Sequence, residues 1–594
     1  MIKLLRYMRG HIKESILSPT FKLLEASFEL FVPLVVAKII DSGIGSGDTG
    51  YVIKMCLVLA LLSFVGLAAS VLGQLYAARA SVGFASKIRH AMFSKIQSMP
   101  YSELDRIGTS TLITRMTSDI GQVQTGVNLT LRLILRAPFI VFGAMIMAFT
   151  VDAASASVFA VMIPALSVVV FGIMIISIPL YRKVQSSLDR VTLHTRENLT
   201  GVRILRGFCK EREETESFEK ASDELKKCQK FVGRISALMN PVTYVIVNIS
   251  VIYLIHIGAL RVNSGYISRG ELVAMYNYMT QILTELIKLA NLIITVTKSA
   301  ACAGRISSIL EESPSERTSG YECVTSVDGK APKVEFRNVS FKYDGNSENS
   351  LSDISFSVYP GETVGIIGAT GSGKTTLVNL IPAFYECTDG EVLVDGKNVK
   401  ELSLNSLRQK FGIVPQKAVL FRGTIRENLK FRDAEASDEE IMSAAKTAQA
   451  KSVIEGKKGA LDGFVDQSGR NFSGGQRQRL TIARALVGDP DILILDDSSS
   501  ALDYATDSAL RSSLAELPYK HTTFIVSQRT SSIMGADRII VLENGRAVGI
   551  GTHEELYQSC AAYREIHDLQ FREKKKTQGA GAKSEGRGRH VYEQ

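Results

Sequence analysis

The apolar residues of this chain are gathered into long runs, and nearly all of these runs lie in the first 300 of its 594 residues. The clearest runs cover residues 51–77, 131–151, 155–180, 241–260 and 272–296. Each run approaches or exceeds the ~20 residues that an α-helix needs to cross the hydrocarbon of a bilayer. Residues 16–40 form a sixth candidate, although Lys22, Glu25 and Glu29 interrupt it. We therefore predict an N-terminal, all-α transmembrane domain with six membrane-spanning helices.

The distribution of charge predicts which ends of these helices face the cytoplasm. The chain has 69 Lys and Arg against 60 Asp and Glu, a formal net charge of +9. Lys and Arg are frequent in residues 79–136 and 182–234, whereas residues 42–50 contain neither. Because cytoplasmic loops are enriched in Lys and Arg, we expect both basic segments and both chain ends in the cytoplasm. This topology explains much of the positive charge, and no interleaving of basic and aromatic residues favours a nucleic-acid partner.

The two basic segments have the pattern of helices. Residues 81–103 and 187–231 are polar, poor in glycine and periodic. We therefore expect the membrane helices to continue as long cytoplasmic helical extensions. Each extension is interrupted once, near residues 108–110 and 207–209, and we predict a short transverse helix at each interruption.

The composition of the chain changes after residue 310. Residues 311–333 are polar with scattered Gly and Pro, which is typical of a linker. From residue 334 a strand–turn–helix pattern predicts an α/β domain. We assign residues 1–310 to the transmembrane domain, 334–572 to the α/β domain and 573–594 to a disordered basic tail. The 7 cysteines show neither paired nor metal-binding spacing and indicate free thiols.

A phosphate-binding loop is predicted at the start of the α/β domain. A short apolar strand, residues 363–367, is followed by a Gly-rich loop and a helical run. The loop and the first turn of the helix comprise Gly368, Ala369, Thr370, Gly371, Ser372, Gly373, Lys374, Thr375 and Thr376. Glycines allow backbone amides to surround phosphate oxygens at a helix N-terminus, whose dipole favours anions. Lys374 would reach the β- and γ-phosphates, and the Thr375 hydroxyl would ligate Mg²⁺.

A second strand supports the same site. Residues 492–495 are apolar and end in Asp496, and an acid at the end of such a strand can hold Mg²⁺ through its water shell. The two motifs together predict ATP and Mg²⁺ as cofactors.

Residues 471–476, Asn-Phe-Ser-Gly-Gly-Gln, resemble the signature motif of ABC transporter ATPases, which usually begins Leu-Ser-Gly-Gly-Gln. The resemblance implies that Tyr343 stacks on adenine, and that Gln416 senses Mg²⁺ and faces the membrane domain. It places Asp503 in the family's D-loop. The nucleotide-binding residues implied in this way are Tyr343, Gln416, Ser473, Gly474, Gly475, Gln476 and Asp503, with Thr375, Gln416 and Asp496 around the metal ion.

The order of the segments is similar to that of exporter-type (type IV) ABC half-transporters, with six spans followed by one P-loop ABC ATPase domain. By this resemblance the interruptions near residues 108–119 and 206–218 are coupling helices. Half-transporters pair, and each ATP lies between the phosphate loop of one chain and the signature motif of the other. The resemblance is greatest to the degenerate-site subunit of bacterial heterodimeric multidrug exporters. It implies a multi-pass protein of the bacterial inner membrane, with the lipid bilayer as a partner.

Two departures from the family pattern matter most. Asp497 stands where the family usually has the Glu that positions or deprotonates the attacking water, and its side chain is one methylene shorter. Gln528 stands where the family has a switch histidine. Unlike histidine, a glutamine side chain cannot take up a proton or become positively charged. We expect the chain's own site to hold ATP and to hydrolyse it slowly. Its signature motif would complete the active site of a second half-transporter that supplies the Glu and the His.

Other functions stay open at this stage. The chain can be a slow homodimeric exporter, an ATP-gated channel or regulatory subunit, or an importer that uses the same fold. A hydrophobic or amphipathic cargo (drugs, lipids or peptides) is implied for the exporter. Glu25 and Glu29, like Glu285 and Lys288, are compatible with cation or proton handling and equally with plain pairing in the membrane.

Overall fold

The computed structural model describes residues 2–311, 331–517 and 521–570. They belong to two compact units, the first drawn from residues 1–95 and 110–312 and the second from residues 96–109 and 313–594. Most of the predicted linker and the whole of the predicted C-terminal tail lie outside the described residues.

The N-terminal part of the chain is entirely helical over its described residues. Its helices are α1 (Ile12–Lys38), α2 (Thr49–Gln97), α3 (Tyr101–Ile107), α4 (Thr109–Thr114), α5 (Ile120–Leu133), α6 (Arg136–Val151), α7 (Ala153–Gly207), α8 (Glu211–Ala237), α9 (Met239–Asn263) and α10 (Arg269–Glu311). A 3₁₀ segment (Ile2–His11) precedes α1, and π-helical segments follow α1 (Ile39–Ile44) and α4 (Arg115–Asp119). The long helices confirm the predicted all-α domain.

Among the described residues, five helical segments are long and apolar enough to cross a membrane. They are Thr49–Gln97, Thr109–Val151, Ala153–Gly207, Glu211–Asn263 and Arg269–Glu311. Helix α1 has 27 residues but is not among them, because Lys22, Glu25 and Glu29 lie in its middle. The count of six spans therefore stays a prediction.

The two predicted interruptions of the cytoplasmic extensions differ in structure. The first contains α3, which ends at Gly108, a residue in the left-handed region with φ 78°. At the second, α7 ends at Gly207 and α8 begins at Glu211. The transverse helix predicted at the second interruption was wrong, because residues 208–210, all of them described, form only a turn. Cys209 has φ 54° there and cannot continue an α-helix.

Helices α1, α6 and α10 pack together in the core of the first unit. Ala26 and Leu30 of α1, Ala144 of α6 and Tyr278 of α10 belong to one buried cluster. The Tyr278 hydroxyl donates a hydrogen bond to the Leu30 carbonyl oxygen (2.8 Å), so the one polar atom of that ring is satisfied in the core. This packing determines which charged residues of the three helices can meet.

The second unit is an α/β domain with an accompanying antiparallel sheet. Its strands are β1 (Val334–Phe341), β2 (Leu351–Val358), β3 (Thr363–Gly368), β4 (Asp389–Val394), β5 (Lys397–Asn398), β6 (Phe411–Val414), β7 (Gly423–Thr424), β8 (Phe464–Val465), β9 (Ile492–Asp496), β10 (Thr522–Val526), β11 (Arg538–Glu543) and β12 (Arg546–Gly551). Its helices are α11 (Lys374–Leu380), α12 (Leu404–Arg408), α13 (Ile425–Leu429), α14 (Asp438–Thr447), α15 (Lys451–Glu455), α16 (Gly474–Leu486), α17 (Tyr504–Ala515) and α18 (His553–Ser559).

The larger sheet has the strand order β12-β11-β3-β10-β9-β6, and the smaller one has the order β2-β1-β4-β5. Strand β10 is parallel to both β3 and β9, so the carboxyl ends of all three lie at one edge. All five residues of β9 and of β10 are buried, as expected for parallel strands covered on both faces. Ligands of such sheets bind at the carboxyl ends of the strands.

Helix α3 packs against the α/β domain within the second unit. The Tyr101 ring stacks on Phe384 with 4.5 Å between ring centroids. The Tyr385 hydroxyl donates a hydrogen bond to Asp105 Oδ2 (2.5 Å). Aromatic contacts and a hydrogen bond to a carboxylate thus hold α3 against the α/β domain.

Candidate nucleotide-binding site

The phosphate loop joins the carboxyl end of β3 to the N-terminus of α11. Gly371 and Gly373 have φ 83° and 96°, a region of backbone conformation that favours glycine. A Cβ at Gly368 would lie 2.1 Å from the Leu542 carbonyl oxygen, so only glycine fits the close approach to β11. The three glycines predicted from the sequence are therefore required by backbone geometry as well as by phosphate chemistry.

Lys374 lies inside this loop. Its Nζ donates hydrogen bonds to the carbonyl oxygens of Gly368 (2.9 Å) and Ala369 (2.7 Å), and the residue is 8% exposed. Burial lowers the pKa of the Lys374 ammonium, while the nearby carboxylates of Asp497 and Asp496 oppose that shift. The loop thus presents one positive charge at the position where phosphate oxygens are expected.

Ser372 has a buried hydroxyl within the same loop. Its Oγ has no hydrogen-bond partner among the described residues, although the residue is only 5% exposed. An orphaned buried hydroxyl is unfavourable unless a ligand or water satisfies it. This donor, the Lys374 ammonium and the N-terminus of α11 fit a polyphosphate.

The two predicted Mg²⁺ ligands are in contact. Thr375 Oγ1 donates a hydrogen bond of 3.1 Å to Asp496 Oδ1. Burial raises the pKa of Asp496, the adjacent Asp497 adds to the shift, and Thr375 and Lys374 counteract it. A hydroxyl and a carboxylate are the hard oxygen ligands that Mg²⁺ prefers, so this pair fits the metal ion.

Asp497 follows β9 directly and turns back toward β10. Its backbone N donates a hydrogen bond to the Val526 carbonyl oxygen (2.9 Å), and its φ of 46° is in the left-handed region. Burial raises the pKa of the Asp497 carboxyl, and a hydrogen bond from Gln416 opposes this shift. Gln416 and Asp497, each assigned to the site by the family resemblance, therefore lie close together in the structure.

The cavity around these groups has a volume of about 740 Å³. Among the predicted site residues, those lining it are Tyr343, Thr370, Gly371, Gly373, Lys374, Thr375, Thr376, Gln416, Asp496, Asp497 and Gln528. Tyr343 closes one side, and its hydroxyl lies 3.1 Å from Thr376 Oγ1. The backbone carbonyl of Gln528 accepts a hydrogen bond from Gln570 (2.7 Å), which holds that segment at the rim.

The signature motif does not line this cavity. Ser473 is the N-cap of α16: its hydroxyl accepts a hydrogen bond from the Gln476 backbone N (3.3 Å). The Gln476 side chain in turn accepts one from the Ser473 backbone N (2.9 Å). The space around Gly474 is open, so the N-terminus of α16 is available to a ligand on another molecule. Asp503 likewise caps α17, accepting a hydrogen bond from the Thr506 backbone N (2.8 Å).

Several lining residues were not predicted from the sequence. Asn346, Ser350 and the turn residues Asn544 and Gly545 border the cavity beside the phosphate loop. The polar run at residues 344–350 and the Asn-Gly turn between β11 and β12 were visible signals of loops. Nothing in their spacing connected them with the phosphate loop, because strand pairing in the sheets brings them there.

Comparisons with known proteins agree with the geometry. Residues 15–286 match the family described as "ABC transporter transmembrane region". Residues 351–500 match the family described as "ABC transporter".

Full-length relatives and a solved structure extend this similarity over nearly the whole chain. An uncharacterized ABC transporter ATP-binding protein of Bacillus subtilis, YfiB, is 36% identical over 571 residues, covering 96% of this chain and 99% of that protein. An ATP-dependent lipid A-core flippase of Hahella chejuensis is 32% identical and covers 88% of this chain and 89% of its own. The structure of a bacterial Atm1-family ABC exporter with ATP bound superposes with a TM-score of 0.77 at 23% identity, covering 94% and 98% of the two chains. The chain therefore belongs to the ABC transporter family, as a multi-pass membrane protein with an ATP-binding domain and an exporter fold.

Proposed function

We propose that this chain is one half of a heterodimeric ABC exporter that moves hydrophobic or amphipathic molecules across the bacterial inner membrane. In this proposal α1 is the first of six spans, both termini are cytoplasmic, and residues 1–310 and 334–572 are the membrane and ATPase domains. The similarity to lipid A-core flippases supports a cargo with an apolar part. Among drugs, lipids and peptides, those relatives favour lipids.

The nucleotide site supports binding of MgATP by this chain. The Lys374 ammonium and the Ser372 hydroxyl would bind phosphate oxygens, and Thr375, Asp496 and Gln416 would hold the metal ion. Mg²⁺ would neutralise charge on the phosphates, as it does in phosphoryl transfer generally. Tyr343, at the side of the cavity, would stack on adenine.

Asp497 is the observation that carries the proposal of slow hydrolysis. A general base must come within hydrogen-bond distance of the attacking water, and a shorter side chain loses that reach. Gln416 lies beside the Asp497 carboxylate in the cavity, and Gln528 at the rim can neither accept a proton nor become positive. The cavity therefore keeps its groups for binding ATP and lacks two groups that promote its cleavage.

The position of the signature motif supports the division of labour between two chains. The N-terminus of α16 has an intact capping box and open space beside Gly474, so it can accept a γ-phosphate from across an interface. It would complete the active site of a partner half-transporter that carries the catalytic Glu and the switch His. Cargo movement would follow as ATP binding and hydrolysis shift the pair between inward- and outward-open states.

The test is to purify the complex from its native membrane, identify the second chain and compare ATPase rates of matched variants. Glu→Gln at the partner's catalytic position is expected to remove nearly all turnover, whereas Asp497→Asn in this chain leaves most of it. Ser473→Ala here is expected to slow the partner's site. A homodimer of this chain with equal and rapid turnover in both sites would overturn the proposal.

A further inference from the structure

Helices α1, α6 and α10 bring six charged residues together in the first unit. We call this the three-helix charge cluster; it consists of Lys22, Glu25, Glu29, Arg136, Glu285 and Lys288. The sequence pointed to five of them but not to Arg136, which connects the three helices. Charged residues within membrane-spanning segments are expensive to bury and commonly belong to functional sites.

Arg136 is the centre of the cluster. It is 8% exposed, and its guanidinium donates hydrogen bonds of 2.7 Å to Glu285 Oε1 on α10 and 2.7 Å to Glu29 Oε2 on α1. A planar guanidinium that binds two carboxylates fixes both of them in position. The acidic groups are thus preorganised by a residue that is itself nearly inaccessible.

The remaining charges do not all neutralise each other within the core. Lys22 and Glu25 form their own pair at 2.6 Å. Arg136 lies 2.7 Å from both Glu29 and Glu285, and its Nε is 3.9 Å from Glu25 Oε1. With Glu25 paired to Lys22, the single charge of Arg136 is left to balance Glu29 and Glu285, so one negative charge remains. Lys288 balances this remaining negative charge: its Nζ lies 2.8 Å from Glu285 Oε1. Unlike the buried glutamate, the Lys288 side chain is 42% exposed. The neutralising cation is therefore the most accessible member of the cluster.

Two buried acceptor atoms on α10 have no hydrogen-bond donor among the described residues. Glu285 is 2% exposed, and its Oε2 is buried without a hydrogen-bond partner among the described residues. The same is true of Gln281 Oε1, one helical turn earlier on α10. The Gln281 amide nitrogen donates to the Glu29 carbonyl oxygen (3.5 Å), and Glu285 Oε1 accepts from Arg136, so both residues border the junction of α1 with α6 and α10. A buried acceptor without a donor is unfavourable unless a ligand, an ion or water satisfies it.

We propose that Glu29, Gln281 and Glu285 bind the protonated amine of an amphipathic cargo, which replaces the Lys288 ammonium. An ammonium group with N–H bonds offers a positive charge and up to three donors, which match the excess negative charge and the two orphaned acceptors. An anionic head group would meet carboxylates, and a quaternary ammonium would leave the acceptors unsatisfied. This inference deepens the proposed function, on which its relevance to transport rests.

If the three-helix charge cluster served only to hold the three helices together, it would behave differently. Its groups would be mutually satisfied, and removal of the partly exposed Lys288 would change no ligand affinity. In a cargo site, Lys288 competes with the incoming amine, so its removal strengthens binding. The response to loss of this lysine separates the two roles.

The experiment measures dodecylamine binding to the full chain in phosphatidylcholine nanodiscs by titration calorimetry at pH 7, with empty nanodiscs as the blank. Dodecyltrimethylammonium and dodecyl sulfate serve as probes with the same alkyl chain. Lys288→Met is expected to lower the Kd for dodecylamine about 3-fold, since it removes a partly exposed competing ion pair. Glu285→Gln is expected to raise the Kd about 10-fold. Lys298→Met, which removes an exposed lysine from the same helix, is the matched control.

Equal binding of the three probes, or equal Kd values for Lys288→Met and Lys298→Met, would overturn the inference. Since Lys288 is partly exposed, its variant decides the matter even if Glu285→Gln fails to fold. Nanodiscs with phosphatidylethanolamine distinguish two sources of the amine. Weaker dodecylamine binding there assigns the site to a lipid head group, and unchanged binding assigns it to a free amphiphile. The measurement requires neither ATP turnover nor a partner chain, so its failure leaves the proposed heterodimer standing.

Discussion

Thr375 Oγ1 and Asp496 Oδ1 are joined by a hydrogen bond of 3.1 Å, although the two residues come from different halves of the ATPase domain. The bond links the first turn of α11 to the carboxyl end of β9. It aligns a hydroxyl and a carboxylate as the two oxygen ligands that a MgATP site needs. The first prediction concerns this pair.

Thr375→Val is expected to weaken Mg²⁺-dependent ATP binding to this chain about 10-fold or more, because it removes the hydroxyl proposed as a metal ligand and keeps the shape of the side chain. Binding of ATP without Mg²⁺ is expected to change little. The measurement is fluorescent-ATP binding with and without Mg²⁺. Thr376→Val is the control from the neighbouring position, and equal losses in the two variants would contradict the assignment.

The contact of Tyr385 with Asp105 predicts that this hydrogen bond stabilises the docking of α3 on the α/β domain. The Tyr385 hydroxyl donates to the Asp105 carboxylate, and burial and this hydrogen bond both raise the pKa of the phenol. Tyr385→Phe is expected to destabilise the docking of α3 by about 1.5 kcal/mol, the low end of the range for a hydrogen bond to a charged group, because the contact is exposed.

This change is expected to increase hydrogen exchange in residues 101–107 while leaving ATP binding intact. Tyr359→Phe, at an exposed tyrosine of the same domain, provides the comparison. If exchange in α3 were the same in both variants, the hydrogen bond would not hold the helix.

The buried histidine His521 predicts loss of stability in mild acid. Burial lowers its pKa below the ordinary value of 6.5, and its ring Nδ1 lies 3.1 Å from the Pro490 carbonyl oxygen. The unfolded chain therefore binds a proton at higher pH than the folded chain does. The resulting stability is complete above about pH 6.5 and is lost as the pH falls toward the lower folded-state pKa.

Thermal unfolding of the full chain between pH 5 and 8 measures this effect. His521→Asn, which keeps a donor near Pro490 and cannot be protonated, is expected to show a smaller fall in Tm below pH 6.5. His553, whose pKa is also lowered by burial, is present in both proteins, so the difference between them reports His521 alone. Parallel Tm profiles would contradict the prediction.

The pairing of Arg136 with Glu29 and Glu285 predicts that loss of Arg136 alone lowers stability more than loss of Arg136 together with the charges of both glutamates. Arg136→Met leaves the buried Glu285 carboxylate and the half-buried Glu29 carboxylate without this cation. Removal of one partner of a buried ion pair, here Arg136–Glu285, is destabilising by about 3–5 kcal/mol. The triple variant with Glu29→Gln and Glu285→Gln removes the uncompensated charges and is expected to recover most of that loss. Urea unfolding in detergent micelles, followed by tyrosine fluorescence because the chain has no Trp, compares the two proteins. Equal midpoints would show that the charges are not coupled.

The phosphate site is the part of the molecule that the sequence predicted best. The loop at residues 368–376 and the strand that ends in Asp496 are local patterns, in which the residue types follow from backbone geometry and phosphate chemistry. The structure places most of these residues around one cavity, with Gln416, Asp497 and Gln528. The asymmetry inferred from Asp497 and Gln528 stays a prediction.

The helices were predicted from their apolar runs, since a span of about 20 residues leaves few alternatives. Their boundaries and breaks were less certain from sequence: the turn after Gly207 has no separate helix, and the charges of α1 keep it outside the apolar spans. Such breaks depend on the backbone conformation of single residues such as Cys209. Hydrophobic periodicity does not predict that conformation.

What the sequence determined by itself was therefore local: apolar length, the glycine loop and the residue types of the nucleotide site. What only the tertiary structure decided was which distant residues meet. Arg136 lies 107 residues from Glu29 and 149 from Glu285, and no spacing rule connects them. They meet because α1, α6 and α10 bury their apolar faces against one another, which brings the charged groups of those helices within reach of each other.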